Sequence, residues 1–300
     1  MQRGSVLPIQ ARTLVVQGLR LRVWDHGGEG LPRALFVHGY LDTGRSFDAV
    51  AHELRDEVHC LALDWRGHGQ SDRVGAGGSY HLLDHLKDLS FVLHLLTEQS
   101  LGIDVLVAHS MGGNIALLLA GATPAAVPAL VLVDSLGAPP EDPAEQPARI
   151  AEVLSSLHAK KRAFSPVPSI EAARDRLRAM NAGLSEAAAL RMVEHALVPR
   201  SDGGFDFPFD PQLRGPTPVR WAEETWLEVC RRAVMPVVLL RAADGYLPGG
   251  NNEHNLGDPF FARLTTLRRG RCIHVAGGHH LHVERPDAIA QSVRDLIPRN

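Results

Sequence analysis

The 300-residue sequence is poor in cysteine and has little excess charge of either sign. Its three cysteines, Cys60, Cys230 and Cys272, have no paired spacing, which argues against both a disulfide framework and a thiolate zinc site. Reduced thiols of this kind predict a cytoplasmic protein. The formal net charge of −3 provides no basic stripe, so nucleic acid is not an expected partner. This composition favours a small molecule instead.

The sequence also lacks the patterns of signal peptides and membrane spans. Residues 1–13 contain polar and charged side chains and no continuous apolar segment, so we expect no export. Residues 115–133 carry no charge and approach the length of a membrane span, but Gly121, Pro124 and Pro128 interrupt them. A helix, a turn and a buried strand fit this stretch better. The sequence therefore predicts no membrane partner.

Short apolar runs rich in β-branched residues recur along the chain, and helical patterns separate most of the later ones. Several runs are continuous rather than alternating, which is typical of strands covered on both faces. This order predicts an α/β fold with a mostly parallel sheet. Residues 137–229 differ, because they are rich in Ala, Arg and Pro and show helical stretches without a convincing strand. We interpret them as a helical insertion in which residues 205–211 form an irregular loop.

The sharpest local pattern is a buried strand at residues 105–108 that stops at Ser110 and restarts as a helix. Small residues two before and two after the serine, Ala108 and Gly112, allow the tight turn that would expose its hydroxyl. The usual pattern has glycine at the first of these positions, so Ala108 adds a methyl group there. The pattern predicts Ser110 as a nucleophile, and the alternative is a structural serine at a strand-to-helix turn.

Three further segments accompany this turn in a fixed order along the chain. His38-Gly39 follows a strand, residues 64–71 read D-x-R-G-x-G-x-S, and residues 278–286 read G-H-x-x-x-x-E-x-P. With these segments and the insertion, the chain resembles the serine-nucleophile branch of the α/β-hydrolase superfamily over its whole length. The resemblance implies an eight-stranded, mostly parallel sheet with helices on both faces and a helical cap over the carboxyl ends of the strands. The core would comprise residues 1–136 and 230–300, and the cap residues 137–229.

A serine nucleophile needs a base, and three histidines, His279, His280 and His282, crowd one turn. The family's terminal pattern, with Glu284 five residues and Pro286 seven residues after the base, selects His279. His280 is the alternative base. A metal interpretation of the cluster is weaker, because no cysteine or carboxylate stands at ligand spacing beside it. We therefore expect neither a metal nor a cofactor.

The acid that orients the base lies between the serine and the histidine in the family's chain order. Asp244 follows a buried strand and is the preferred candidate. The proline that the family often places four residues later is present as Pro248, but Arg241 replaces the glycine often found three residues earlier. The alternative acid is Asp134, which ends the preceding strand at a position that some family members use.

The resemblance also implies an oxyanion hole formed by the backbone N–H groups of Tyr40 and Met111. These assignments predict a serine hydrolase that cleaves a carboxylic ester or a related acyl bond through an acyl-enzyme. A serine at the turn disfavours the family branches that attack with aspartate, the epoxide hydrolases and haloalkane dehalogenases. A C–C bond hydrolase, a lactonase, a cofactor-free haloperoxidase and a non-catalytic ligand-binding protein remain open. The oligomeric state is left undetermined.

Overall fold

The computed structural model describes residues 9–157, 164–181, 183–247 and 259–297. Pro248 and the first eight residues, which entered the sequence predictions, lie outside these ranges. The strands are β1 (Gln10–Val16), β2 (Leu19–Asp25), β3 (Arg33–Val37), β4 (His59–Leu63), β5 (Val105–His109), β6 (Leu130–Val133), β7 (Val198–Pro199), β8 (Phe205–Asp206), β9 (Val237–Asp244) and β10 (Gly270–Gly278). The α-helices are α1 (Asp48–Leu54), α2 (Leu82–Glu98), α3 (Met111–Ala122), α4 (Gln146–Leu157), α5 (Ile170–Met180), α6 (Glu186–Glu194), α7 (Glu223–Arg232), α8 (Pro259–Thr266), α9 (Leu281–Glu284) and α10 (Pro286–Arg294).

Eight strands form one sheet in the order β1-β2-β4-β3-β5-β6-β9-β10. Only β2 runs against the others in this sheet, since it pairs antiparallel with both of its neighbours. The prediction of a mostly parallel, eight-stranded sheet is confirmed.

Both faces of the sheet are covered, which explains the continuous apolar runs of its central strands. Leu35 and Val37 of β3 pack into a core shared with α2, α3, α7 and α8. Ala34 and Phe36 of the same strand point to the opposite core, which contains α1 and α10. Successive side chains of a strand alternate between faces, so each buried strand needs apolar residues at every position.

The insertion follows β6 and contains α4, α5 and α6, of which α5 and α6 pack against each other. It also contains a two-stranded antiparallel sheet of β7 and β8. The prediction of an irregular loop at residues 205–211 was therefore wrong for Phe205 and Asp206. Each of these strands has two residues, which is too short for an alternating pattern to be visible in the sequence.

Helix α7 crosses the predicted boundary between insertion and core at residues 229 and 230. Trp226 and Cys230 of this helix are buried in the main core. Gly121 of α3 lies so close to α7 that an added Cβ would be 2.7 Å from the carbonyl oxygen of Val229. The first turn of α7 therefore already packs with the sheet layer, although it precedes the predicted boundary.

The register of the parallel strands brings their carboxyl ends to one edge of the sheet. Val37 of β3 is level with Ala108 of β5, and Val133 of β6 is level with Leu240 of β9. The residues that follow these strands therefore gather at this edge, where ligands bind in open α/β sheets. Among the described residues, no helix combines the length and the apolar character that crossing a bilayer requires.

Candidate active site

Ser110 occupies a strained turn between β5 and α3. Its φ of 52° and ψ of −118° lie in a region that non-glycine residues rarely adopt. The turn is tightly packed, since a Cβ on Gly112 would lie 2.6 Å from the carbonyl oxygen of His38. Ala108 is fully buried in the core, where its methyl group is accommodated. This packing maintains a backbone conformation that an isolated segment would avoid.

A chain of hydrogen bonds connects Ser110 with a histidine and an aspartate. The Ser110 hydroxyl lies 2.9 Å from Nε2 of His279, and Nδ1 of His279 lies 2.7 Å from Oδ2 of Asp134. The Asp134 side chain is fully buried and also accepts hydrogen bonds from the backbone N–H groups of Ala242 (3.2 Å) and Tyr246 (2.7 Å). These donors stabilise a carboxylate, which in turn fixes the His279 ring with Nε2 toward the serine.

The prediction that Asp244 contacts the histidine was wrong, because Asp134 occupies that position. Asp134 directly follows Val133, which is level with Leu240, whereas β9 continues to Asp244 before it ends. Asp244 is exposed at the rim of the sheet. The turn after it approaches Asp134 closely, since a Cβ on Gly245 would lie 2.4 Å from its Oδ2. In the sequence, only the position of Asp134 at the end of a strand pointed to it as the alternative acid.

His280, the alternative base, points elsewhere. Its Nε2 lies 2.9 Å from Oδ1 of Asn181 in the insertion. Of the two candidates, the structure therefore brings His279 to Ser110.

The two backbone groups expected to form an oxyanion hole flank Ser110. Met111 begins α3, and Tyr40 follows the turn at Gly39, where an added Cβ would lie 3.0 Å from the Cβ of Ser110. Neither the Tyr40 nor the Met111 N–H has a hydrogen-bond partner among the described residues. The Tyr40 hydroxyl donates to the carbonyl oxygen of Leu213 in the insertion, at 3.2 Å.

His109 and Asp42, for which the sequence predicts no site role, lie behind His279. Nε2 of His109 donates to the carbonyl oxygen of His279 at 3.0 Å, and Nε2 of His282 donates to Oδ2 of Asp42 at 3.1 Å. Burial lowers the pKa of His109 well below its usual value, and burial lowers that of His280 to about 4. Burial alone would raise the pKa of Asp42, but the hydrogen bond from His282 and the charges of the surrounding histidines together outweigh it and lower this pKa to about 2. The crowding of histidines around residue 280 was the only sequence signal of this cluster.

A cavity of about 630 Å³ between the insertion and the sheet opens onto Ser110. Its lining combines apolar rings such as Trp221 with polar groups, among them Arg149, which forms an ion pair with Glu141. Both Tyr40 and Met111 also line it. The volume is within the usual range of small-molecule sites.

Comparison with known proteins gives the family context of this geometry. Residues 34–292 match the model of a family described as the alpha/beta hydrolase family. The chain is 27% identical over 290 residues to a serine hydrolase-like protein of Danio rerio, covering 93% of this chain and 85% of the relative. It is 38% identical over 114 residues to a lipase of Mycobacterium tuberculosis, covering 38% of this chain and 41% of the lipase. A crystal structure of a hypothetical protein from Pseudomonas aeruginosa superposes with a TM-score of 0.80 at 28% identity, covering 95% of this chain and 97% of the other.

Proposed function

Since the chain belongs to the alpha/beta hydrolase family, we propose that it is a serine hydrolase that cleaves a carboxylic ester or a related acyl bond of a small molecule. The observation that carries the proposal is the continuous hydrogen-bonded path from Ser110 through His279 to Asp134. A hydroxyl becomes a useful nucleophile when a base within hydrogen-bond reach can take its proton and a third group orients that base.

In the proposed reaction, the Ser110 oxygen attacks the acyl carbon while its proton passes to Nε2 of His279. The negative charge that develops on the substrate oxygen is stabilised by the N–H groups of Tyr40 and Met111. His279 then protonates the leaving alcohol, and the acyl group stays on Ser110. Water, deprotonated by the same imidazole, releases the acid and regenerates the enzyme.

The role proposed for Asp134 is to hold His279 in the tautomer that leaves a lone pair on Nε2. It also stabilises the imidazolium that forms when the serine proton is taken up. The carboxylate is pre-positioned, because the backbone N–H groups of Ala242 and Tyr246 bind it. Little reorganisation is then needed during the reaction.

The acyl bond is proposed from both the geometry and the relatives. The name of one relative, a serine hydrolase-like protein, agrees with a serine nucleophile, and that of another, a lipase, agrees with an acyl substrate. We also propose that the insertion acts as a cap, because the cavity lies between it and Ser110. With α7 assigned to the core, the cap would comprise residues 137–222.

The test is turnover of short-chain p-nitrophenyl esters, together with covalent labelling by a fluorophosphonate. Ser110→Ala should lower kcat by a factor of about 10⁴ or more and abolish labelling. Ser156→Ala is the matched control, because this serine lines the same cavity but donates to the carbonyl oxygen of Val153. Activity or labelling that survives in Ser110→Ala would reject the nucleophile. Absence of both in the wild type would favour a non-catalytic ligand-binding role.

A further inference from the structure

Three histidines other than His279 meet behind the candidate active site. His109 ends β5, and His280 and His282 lie in and next to α9, which follows β10. The ring centroids of His109 and His282 are 4.1 Å apart, and those of His109 and His280 are 5.4 Å apart. Each of the three rings can offer one nitrogen such that these nitrogens all lie within 4.8 Å of one another.

The hydrogen bonds of these rings determine which nitrogen carries the proton. Nε2 of His109 faces the carbonyl oxygen of His279, and Nε2 of His282 faces a carboxylate oxygen of Asp42. Oxygens of these kinds only accept hydrogen bonds, so each Nε2 carries a hydrogen. Each neutral ring therefore has its lone pair on Nδ1.

The same holds for His280. Its Nε2 faces Oδ1 of Asn181, whose amide nitrogen donates to the carbonyl oxygen of Leu177 at 2.8 Å. That second bond identifies the atom turned toward His280 as the amide oxygen, which accepts. His280 thus also carries its hydrogen on Nε2 and its lone pair on Nδ1.

All three Nδ1 atoms are buried and have no hydrogen-bond partner within the described part of the chain. Burying an acceptor without a partner destabilises the folded state, because no donor replaces the hydrogen bonds that water would make. Here each of three neighbouring rings carries such an acceptor. Metal-binding histidines show the same arrangement, with one ring nitrogen on the ion and the other donating to an oxygen.

We propose that His109, His280 and His282 bind a divalent transition metal ion of the zinc type through their Nδ1 atoms. Imidazole nitrogens suit Zn²⁺, Co²⁺, Ni²⁺ and Cu²⁺, whereas Mg²⁺ and Ca²⁺ prefer oxygen ligands. Three histidines leave a fourth tetrahedral position for water. The sequence predicts no metal here because His109 belongs to a strand far away in the chain.

Little movement is needed to complete the site. Zinc-to-nitrogen distances of about 2.0–2.1 Å set the ligand nitrogens about 3.4 Å apart in a tetrahedron. The three rings already offer nitrogens within 4.8 Å of one another. A second cavity, of about 220 Å³ and lined by His280, Asn181 and Gly183, provides an approach from solvent. The ion would enter past the partly exposed His280.

Binding would connect the strand that carries Ser110 with the turn that carries His279. The ring centroids of His109 and His280 lie 4.7 Å and 5.3 Å from that of His279. A dication held by these rings would therefore raise the thermal stability of the folded chain. Neither binding nor stabilisation rests on the proposed function.

The experiment uses untagged, chelator-treated protein titrated with Co²⁺, followed by visible absorption and by the melting temperature, with Zn²⁺ as competitor. We expect one ion per chain, a rise in melting temperature and displacement by Zn²⁺. His280→Ala should weaken binding at least about tenfold, and Asn181→Leu, which removes only the oxygen on Nε2, by about tenfold. The control is His94→Ala, because His94 is exposed on α2 and its imidazole faces Glu98.

No saturable Co²⁺ spectrum in the folded wild type would overturn the proposal and favour water or a shared proton between the three rings. Binding that is unchanged in both His280→Ala and Asn181→Leu would place the ion elsewhere and also overturn it. Ser110→Ala should bind Co²⁺ like the wild type, so this site is tested even if hydrolysis is never observed.

Discussion

Replacing Asp134 with asparagine should lower kcat/KM for ester hydrolysis by a factor of about 10³–10⁴. The carboxylate Oδ2 accepts both the Nδ1–H of His279 and the N–H of Tyr246, and Oδ1 accepts the N–H of Ala242. An asparagine has one acceptor oxygen and one donor nitrogen at these positions. If the amide nitrogen faces His279, it forces the wrong tautomer, and if the oxygen faces His279, the nitrogen opposes the N–H of Ala242.

The magnitude follows from the charge that is lost. An imidazolium and a carboxylate about 4 Å apart attract each other by about 4 kcal/mol at an effective dielectric constant of about 20. The rate changes tenfold for about 1.4 kcal/mol, so this loss corresponds to about three orders of magnitude. The wrong tautomer lowers the rate further, which explains the upper end of the range.

The assay measures initial rates with a p-nitrophenyl ester for Asp134→Asn and for the matched control Asp244→Asn, with circular dichroism melting to check folding. Asp244 is exposed, and Nδ1 of His279 bonds to Asp134 instead, so substitution of Asp244 should change the rate by less than about threefold. A larger loss from Asp244→Asn than from Asp134→Asn would refute the reasoning. So would an Asp134→Asn enzyme that keeps more than about a tenth of the activity.

Three further predictions concern packing and pH. Gly245→Ala should lower kcat at least about tenfold, because the added Cβ would lie 2.4 Å from Oδ2 of Asp134. The control is Gly75→Ala, whose added Cβ would have no neighbouring atom within 4 Å, and it should have wild-type rates. Gly112→Ala places a Cβ 2.6 Å from the carbonyl oxygen of His38 and should lower the free energy of unfolding by about 1–3 kcal/mol. Urea titrations measure this change, and an unchanged unfolding midpoint would contradict the prediction. Burial, and to a smaller extent the charge of Arg66, lowers the pKa of His85 to about 3. Below pH 6.5 the unfolded chain therefore binds a proton at this histidine that the folded chain does not bind. The wild type should therefore lose about 2 kcal/mol more stability than His85→Phe between pH 6.5 and 5, and parallel pH curves would show that His85 is not responsible.

Much of the fold was predictable because its signals are local or depend only on chain order. The continuous apolar runs indicated strands covered on both faces, and the strand, serine and helix in succession indicated the turn at Ser110. The pairing of Ser110 with His279 rested on the terminal family pattern. These patterns survive in one dimension, because side-chain periodicity and turn chemistry are properties of short segments.

Only the tertiary structure decided which aspartate reaches His279. Asp134 and Asp244 both follow buried strands, and their difference lies in where each strand ends relative to its neighbour, with Asp134 directly after the residue level with Leu240. Register of this kind arises from pairing across the sheet and leaves no trace in either segment alone. The meeting of His109 with His280 has the same origin, since parallel strands bring together residues that are far apart in the chain.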